Sequence, residues 1–149
     1  MSYYIRKATL NDIPNILEII ESVVSLMQAD GNFQWSKTYP GEKDFINDIY
    51  NEVLWVASTE QGDIHGCIAI TMHQGEDYGA VWDISQKAVV PHRLAVHPKA
   101  QGKGLAKLLL LQAEEIAKTN ECLSVIINYF YLLENLWNYY FLLCKKIIL

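Results

Sequence analysis

Hydrophobic positions recur along this chain at two alternating periods, and the places where the period changes set out its elements in order. Tyr3 to Ala8 reads as a short strand, after which Thr9 and Asp12 offer a capping pair for a helix that tolerates Pro14 in its first turn. Ile13, Ile16, Leu17, Ile20, Val23, Val24 and Met27 follow at helical spacing and predict one apolar face. From Asp30 to Gly41 no period holds, and Gly31, Trp35, Tyr39 and Pro40 predict a loop whose two rings either cover a pocket or cap the core. Helical spacing returns at Phe45, Ile46 and Ile49. Val53 to Thr59 and Ile64 to His73 then read as strands joined by Gln61-Gly62-Asp63, a hairpin.

A loop with Gly75 and Gly79 leads to Lys87 to Val96, a β-branched run whose Pro91 predicts an edge position or a bulge. Leu105, Leu108, Leu109, Ala113, Ile116 and Ala117 mark the apolar face of a long helix, and Cys122 to Ile127 reads as a buried strand. Strand, helix and strand in that order predict a right-handed crossover between parallel strands. With no repeat or linker to divide it, residues 1–149 read as one domain of the α/β (α+β) class.

Composition narrows the partners. Of 149 residues, 51% are hydrophobic and 19% charged, which suits a packed core. The net charge of -5 argues against nucleic acid, yet His97 to Lys107 carries Lys99, Lys103 and Lys107 and no carboxylate, a patch sized for a small anion. The three cysteines Cys67, Cys122 and Cys144 are far apart, without a CxxC pair, so a reducing cytoplasm is expected and neither a disulfide framework nor a zinc site. His65, His73, His92 and His97 show no i, i+4 pair, which gives no metal expectation. No signal peptide is read at the N-terminus. No membrane span is expected either, because Asn128, Glu134, Asn135 and Asn138 interrupt the apolar C-terminal stretch short of the roughly 18 to 20 apolar residues that a span needs.

The chemistry concentrates between Val96 and the helix that begins near Gly104, where the chain reads His97-Pro98-Lys99-Ala100-Gln101-Gly102-Lys103-Gly104-Leu105-Ala106. First-turn amides of a helix are unpaired and lie at the positive end of its dipole, so a glycine-bearing turn there can wrap a phosphate with N–H groups. The spacing is neither GxxxxGK[ST] nor GxGxxG, which disfavours a nucleoside triphosphate. Taken alone, such a turn is equally consistent with a tight bend that only starts a helix.

His92 to Ala106 as a whole resembles the acyl-CoA signature of the GNAT acetyltransferases, Q/R-x-x-G-x-G/A after a strand, here Gln101, Gly104 and Ala106, with Leu94-Ala95-Val96 and His97-Pro98 as the run-in. Ile5 to Thr9 and Asp12 to Pro14 resemble that family's first strand and helix start. The resemblance implies a mixed central sheet flanked by helices and acetyl-CoA as cosubstrate. Leu94, Ala95 and Val96 would offer main-chain groups to the pantetheine arm, and Gln101, Gly102, Lys103, Gly104, Leu105 and Ala106 would hold the pyrophosphate.

The resemblance fades after residue 127. No glycine or proline follows Gly104, so the family's Gly-Phe element is absent, and 21 of the 29 residues from Glu121 to Leu149 are hydrophobic. The late strands are expected to be altered or missing, as in an altered or prematurely ended reading of a longer family member, and the apolar segment can pair two copies as a homodimer. The expected activity is acetyl transfer from acetyl-CoA to a primary amine of a small molecule or peptide. The alternative is a CoA-binding module that has lost turnover with its late motifs. His92 is the candidate base, since imidazole titrates near neutrality, or else an ordinary satisfied histidine. Trp35, Tyr39 and Asp83 are candidates for the acceptor pocket, with Asp83 equally readable as a solvated carboxylate. No tyrosine falls at the family's acid position.

Overall fold

In the computed structural model, which describes residues 2–72, 87–122 and 124–125, β1 (Tyr3–Lys7) lies antiparallel to β2 (Leu54–Thr59), and β2 antiparallel to β3 (Ile64–Thr71). β4 (Ala88–Val96) pairs in parallel with β5 (Ser124–Val125), with Ala88 opposite Ser124 and Val89 opposite Val125. The strands follow the order β1-β2-β3-β4-β5. α1 (Ile13–Ala29) and α2 (Glu42–Tyr50) link β1 to β2, and α3 (Leu105–Thr119) links β4 to β5. The mixed α/β class and the parallel crossover pair are as the periodicity predicts. The loop with Gly75 and Gly79, Asp83 and the apolar C-terminal segment from residue 126 onward lie outside the described residues.

The contacts divide the chain into two units, residues 1–69 with 93–109 and residues 70–92 with 110–149. The first holds the larger core, in which Ile13, Ile16, Ile19, Ile20 and Val24 of α1 pack with Phe45 of α2, Leu54 and Val56 of β2, and Ile64, Cys67 and Ala69 of β3. Ile19 belongs to this face although it lies outside the expected set, while Leu17, Val23 and Met27 pack at its border. In the second unit Ala88 and Val90 of β4 form a smaller cluster. Along α3 the buried positions are Leu105, Leu109, Ala113 and Ala117, and Leu108 is exposed, so the stripe is narrower than the sequence predicts.

Pro91 is not on an edge strand, because β4 has β3 and β5 as neighbours. Two residues on, Arg93 adopts φ 51°, a left-handed conformation inside a strand. For a residue with a Cβ this costs about 1–2 kcal/mol, so the surrounding structure must hold it.

The joint between β1 and α1 is built on Asp12. Its carboxylate accepts both arms of the Arg6 guanidinium at 2.8 Å, the Thr9 amide at 2.7 Å and the Thr9 hydroxyl at 3.1 Å. Burial alone would raise the Asp12 pKa, but the hydrogen bonds and charge of Arg6 and the Thr9 bonds outweigh it and hold the carboxyl below its ordinary value. A depressed folded-state pKa contributes stability above the unfolded-state value and loses it as pH falls through the folded one. The gap in thermal midpoint between the wild type and Asp12→Asn is therefore expected to stay constant from neutral pH down to about 5 and to close below about 4, read from melts across that range. A gap independent of pH down to acid unfolding would show that Asp12 carries no such linkage.

Candidate functional site

β4 delivers the chain to the turn that the sequence singles out. His97 follows the strand, and its Nδ1 accepts the Lys99 amide at 3.1 Å, capping a 3-10 turn over Pro98–Ala100. Ala100 and Leu105, each 1% exposed, pin the two ends of the loop, while Gln101, Gly102, Lys103 and Gly104 between them are exposed. Gly102 has φ 76° and Gly104 φ 79°, so both glycines occupy conformations that a side chain resists. The Gln101 amide donates to the Pro98 carbonyl at 3.3 Å, and the next turn bond is the Leu108 amide to the Gly104 carbonyl at 3.1 Å. The amides of Gly102 to Lys107 donate to no protein acceptor among the described residues. A run of unpaired N–H groups at the positive end of α3 results. Lys99, Lys103 and Lys107 are exposed beside it and enter no ion pair among the described residues. Unpaired donors, two left-handed glycines and unneutralised cations fit a diphosphate.

The strand leading into this turn is held closely. Leu94 and Val96 are half-buried and Ala95 is buried. A Cβ built on Gly66 would meet the Ala95 carbonyl oxygen at 3.1 Å and Leu109 Cδ1 at 3.1 Å, so glycine is what lets β3 come this near. The His97 amide donates to the His65 carbonyl at 2.9 Å. Cys67 Sγ lies 3.8 Å from the Arg93 carbonyl it donates to, and burial pushes its thiol pKa up to about 12. A thiol held neutral in this way is not a nucleophile. In the folded protein Cys67 is expected to resist iodoacetamide at pH 8, with peptide mass mapping as the check. Rapid labelling under native conditions would contradict this burial.

Before Leu94, the Arg93 guanidinium donates to both carboxylate oxygens of Asp48 on α2, at 2.6 and 2.8 Å. Side-chain exposure is 5% for Asp48 and 17% for Arg93. Burial works against the Arg93 charge, but the hydrogen bonds and charge of Asp48 more than offset it, and Tyr39 adds in the same direction, so its pKa is raised. The sequence reading did not single out this pair. Asp48 sits three positions after the fully buried Phe45, on the inward face of α2, and that placement was the available signal.

His92 is half-buried in β4 with Nε2 3.1 Å from Thr71 Oγ1. Trp35 is 9% exposed and packs in the larger core, whereas Tyr39 is 46% exposed and reaches Arg93. Asp83 lies outside the described residues. Leu94 to Val96 and Gln101 to Ala106 do come together, as one continuous strand and turn.

A strand that ends in a glycine turn and a helix with unpaired first-turn amides defines an anion-binding type of site. The Acetyltransferase (GNAT) domain model matches residues 50–140, and the protein belongs to this acetyltransferase family. Among solved structures, a GNAT family acetyltransferase from Streptococcus agalactiae is 24% identical with a TM-score of 0.70, covering 84% of this chain and 74% of its own. A GNAT family acetyltransferase from Listeria monocytogenes has a TM-score of 0.72 at 20% identity, covering 90% and 80%. The PaiA N-acetyltransferase from Thermoplasma acidophilum, solved in complex with coenzyme A, has a TM-score of 0.64 at 20% identity, covering 85% and 79%. No curated protein sequence matches significantly.

Proposed function

We propose that the protein, as a single domain over residues 1–149, transfers the acetyl group of acetyl-CoA to a primary amine of a small molecule or peptide. The observation that carries this reading is the set of unpaired amides from Gly102 to Lys107 behind two left-handed glycines. Gln101 to Ala106 hold the diphosphate of the cosubstrate, with Lys103 adding charge, and Leu94, Ala95 and Val96 offer main-chain groups to its pantetheine arm.

The acceptor amine must be neutral to attack a thioester, so a base has to take its proton. His92 has that role in this reading, its ring fixed by the Thr71 hydroxyl. Tyr39 lines the acceptor side from the exposed loop, Trp35 backs that loop from the core, and Asp83 attracts a cationic amine. The cytoplasm is the proposed compartment, consistent with free Cys67 and Cys122, and nucleic acid and membrane have no part in the reading. No helix among the described residues is long and apolar enough to cross a membrane. Two copies pair through the apolar C-terminal segment.

The test is a calorimetric titration with CoA together with thiol release from acetyl-CoA over a panel of amines. Binding with amine-dependent thiol release is expected. Binding without release on any amine would leave a CoA-binding module, and no binding would remove the cosubstrate assignment.

A further inference from the structure

We propose that Asp48 and Arg93 form a positioning pair that holds the left-handed turn of β4 and thereby aims the main chain of Leu94 to Val96 at the cosubstrate, an inference that rests on the cosubstrate reading above. Arg93 is a non-glycine residue at φ 51° within a strand, a conformation that persists only where its surroundings over-determine it. Three contacts do so. Asp48 clamps the guanidinium through two hydrogen bonds at 2.6 and 2.8 Å, and Cys67 Sγ approaches the Arg93 carbonyl at 3.8 Å. Tyr39 interacts with the same guanidinium.

The clamp is itself anchored. Asp48 belongs to α2, whose Phe45 is fully buried in the core, so the carboxylate cannot follow if β4 shifts. A fork of two parallel hydrogen bonds fixes orientation as well as distance. The residue so fixed is the one immediately before Leu94, and one position beyond Leu94 the Ala95 carbonyl runs so near β3 that a Cβ on Gly66 would stand 3.1 Å from it. Stability alone is a poor reason to bury such a pair, since desolvation consumes much of what the contact returns.

The test separates positioning from mere stability. Removing one partner strands a buried charge, so the informative protein is the double variant Asp48→Leu/Arg93→Met, which leaves no lone charge and keeps a Cβ at the left-handed φ while losing the clamp that holds it. Folded double variant is expected to bind CoA about tenfold more weakly and to show a similarly raised KM for acetyl-CoA with a smaller change in kcat. Arg93→Lys, which keeps the charge and loses the fork, serves as the second variant and is expected to bind CoA at least threefold more weakly. Arg6→Lys is the control, because it loosens another two-pronged pair remote in sequence from the turn and is expected to lower the thermal midpoint without changing CoA affinity. Affinity within twofold of the wild type in either folded Arg93 variant overturns the proposal and leaves the cosubstrate reading standing. Absence of CoA binding by the wild type overturns both.

Discussion

Gly104→Val is expected to lower CoA affinity about 30-fold, close to 2 kcal/mol, while the protein stays folded. At φ 79° glycine is free of the clash that any Cβ meets, and a β-branched side chain must rotate the backbone out of this region at a cost of about 1–2 kcal/mol. A Cβ here finds no heavy atom within 4 Å, so packing neither opposes nor rescues the substitution. Backbone rotation is what matters: it turns the first-turn amides away from a common centre, and each hydrogen bond to a charged group that is lost takes away about 1.5–3 kcal/mol. Isothermal titration gives the affinity and a thermal melt the fold, with a midpoint drop of a few degrees anticipated. Wild-type affinity in a folded Gly104→Val protein would mean that the turn does not bind the diphosphate.

Gly66→Val is the larger perturbation of the fold. Its Cβ would stand 3.1 Å from both the Ala95 carbonyl oxygen and Leu109 Cδ1. Leu109 is the flexible partner and can give way, but a carbonyl oxygen moves only if β4 moves with it. Two further methyl carbons in a site with no spare volume bring the expected loss to about 3 kcal/mol. For a chain of this size that is roughly 6–12 °C in thermal midpoint. Urea unfolding supplies the independent measure, and a midpoint unchanged within error would show that the strands part without cost. Because the displaced strand carries Ala95, weaker CoA binding should accompany the instability, whereas Gly104→Val weakens binding with little of it.

Much of this architecture is legible from periodicity. The strand at Tyr3–Lys7, the Thr9 and Asp12 joint, the α1 face and the hairpin about Gln61-Gly62-Asp63 all appear where local rules put them, because each depends on neighbours in sequence. The turn from Gln101 to Ala106 is legible for the same reason: glycine spacing at a helix start is a local signal. What escaped depends on distant partners. Asp48 and Arg93 are 45 positions apart, and in sequence one resembles a solvent-facing helix carboxylate and the other a charge interrupting an apolar strand. Trp35 could not be placed between pocket and core until the strands and α1 were assembled around it. Leu108 fits the helical period as well as Leu109 does, and only the three-dimensional packing on α3 separates the exposed residue from the buried one.

The two left-handed glycines flank Lys103, whose own φ is not positive. Single-base changes convert a glycine codon only into residues that carry a Cβ, and none of them accepts φ near 76° or 79° with ease. A saturation library read out by coenzyme retention should therefore be depleted of every residue with a Cβ at 102 and 104, and at 103 should retain arginine while losing residues that remove the charge. Substitutions that keep the coenzyme are thus expected to pass around two fixed points, 102 and 104, in this turn.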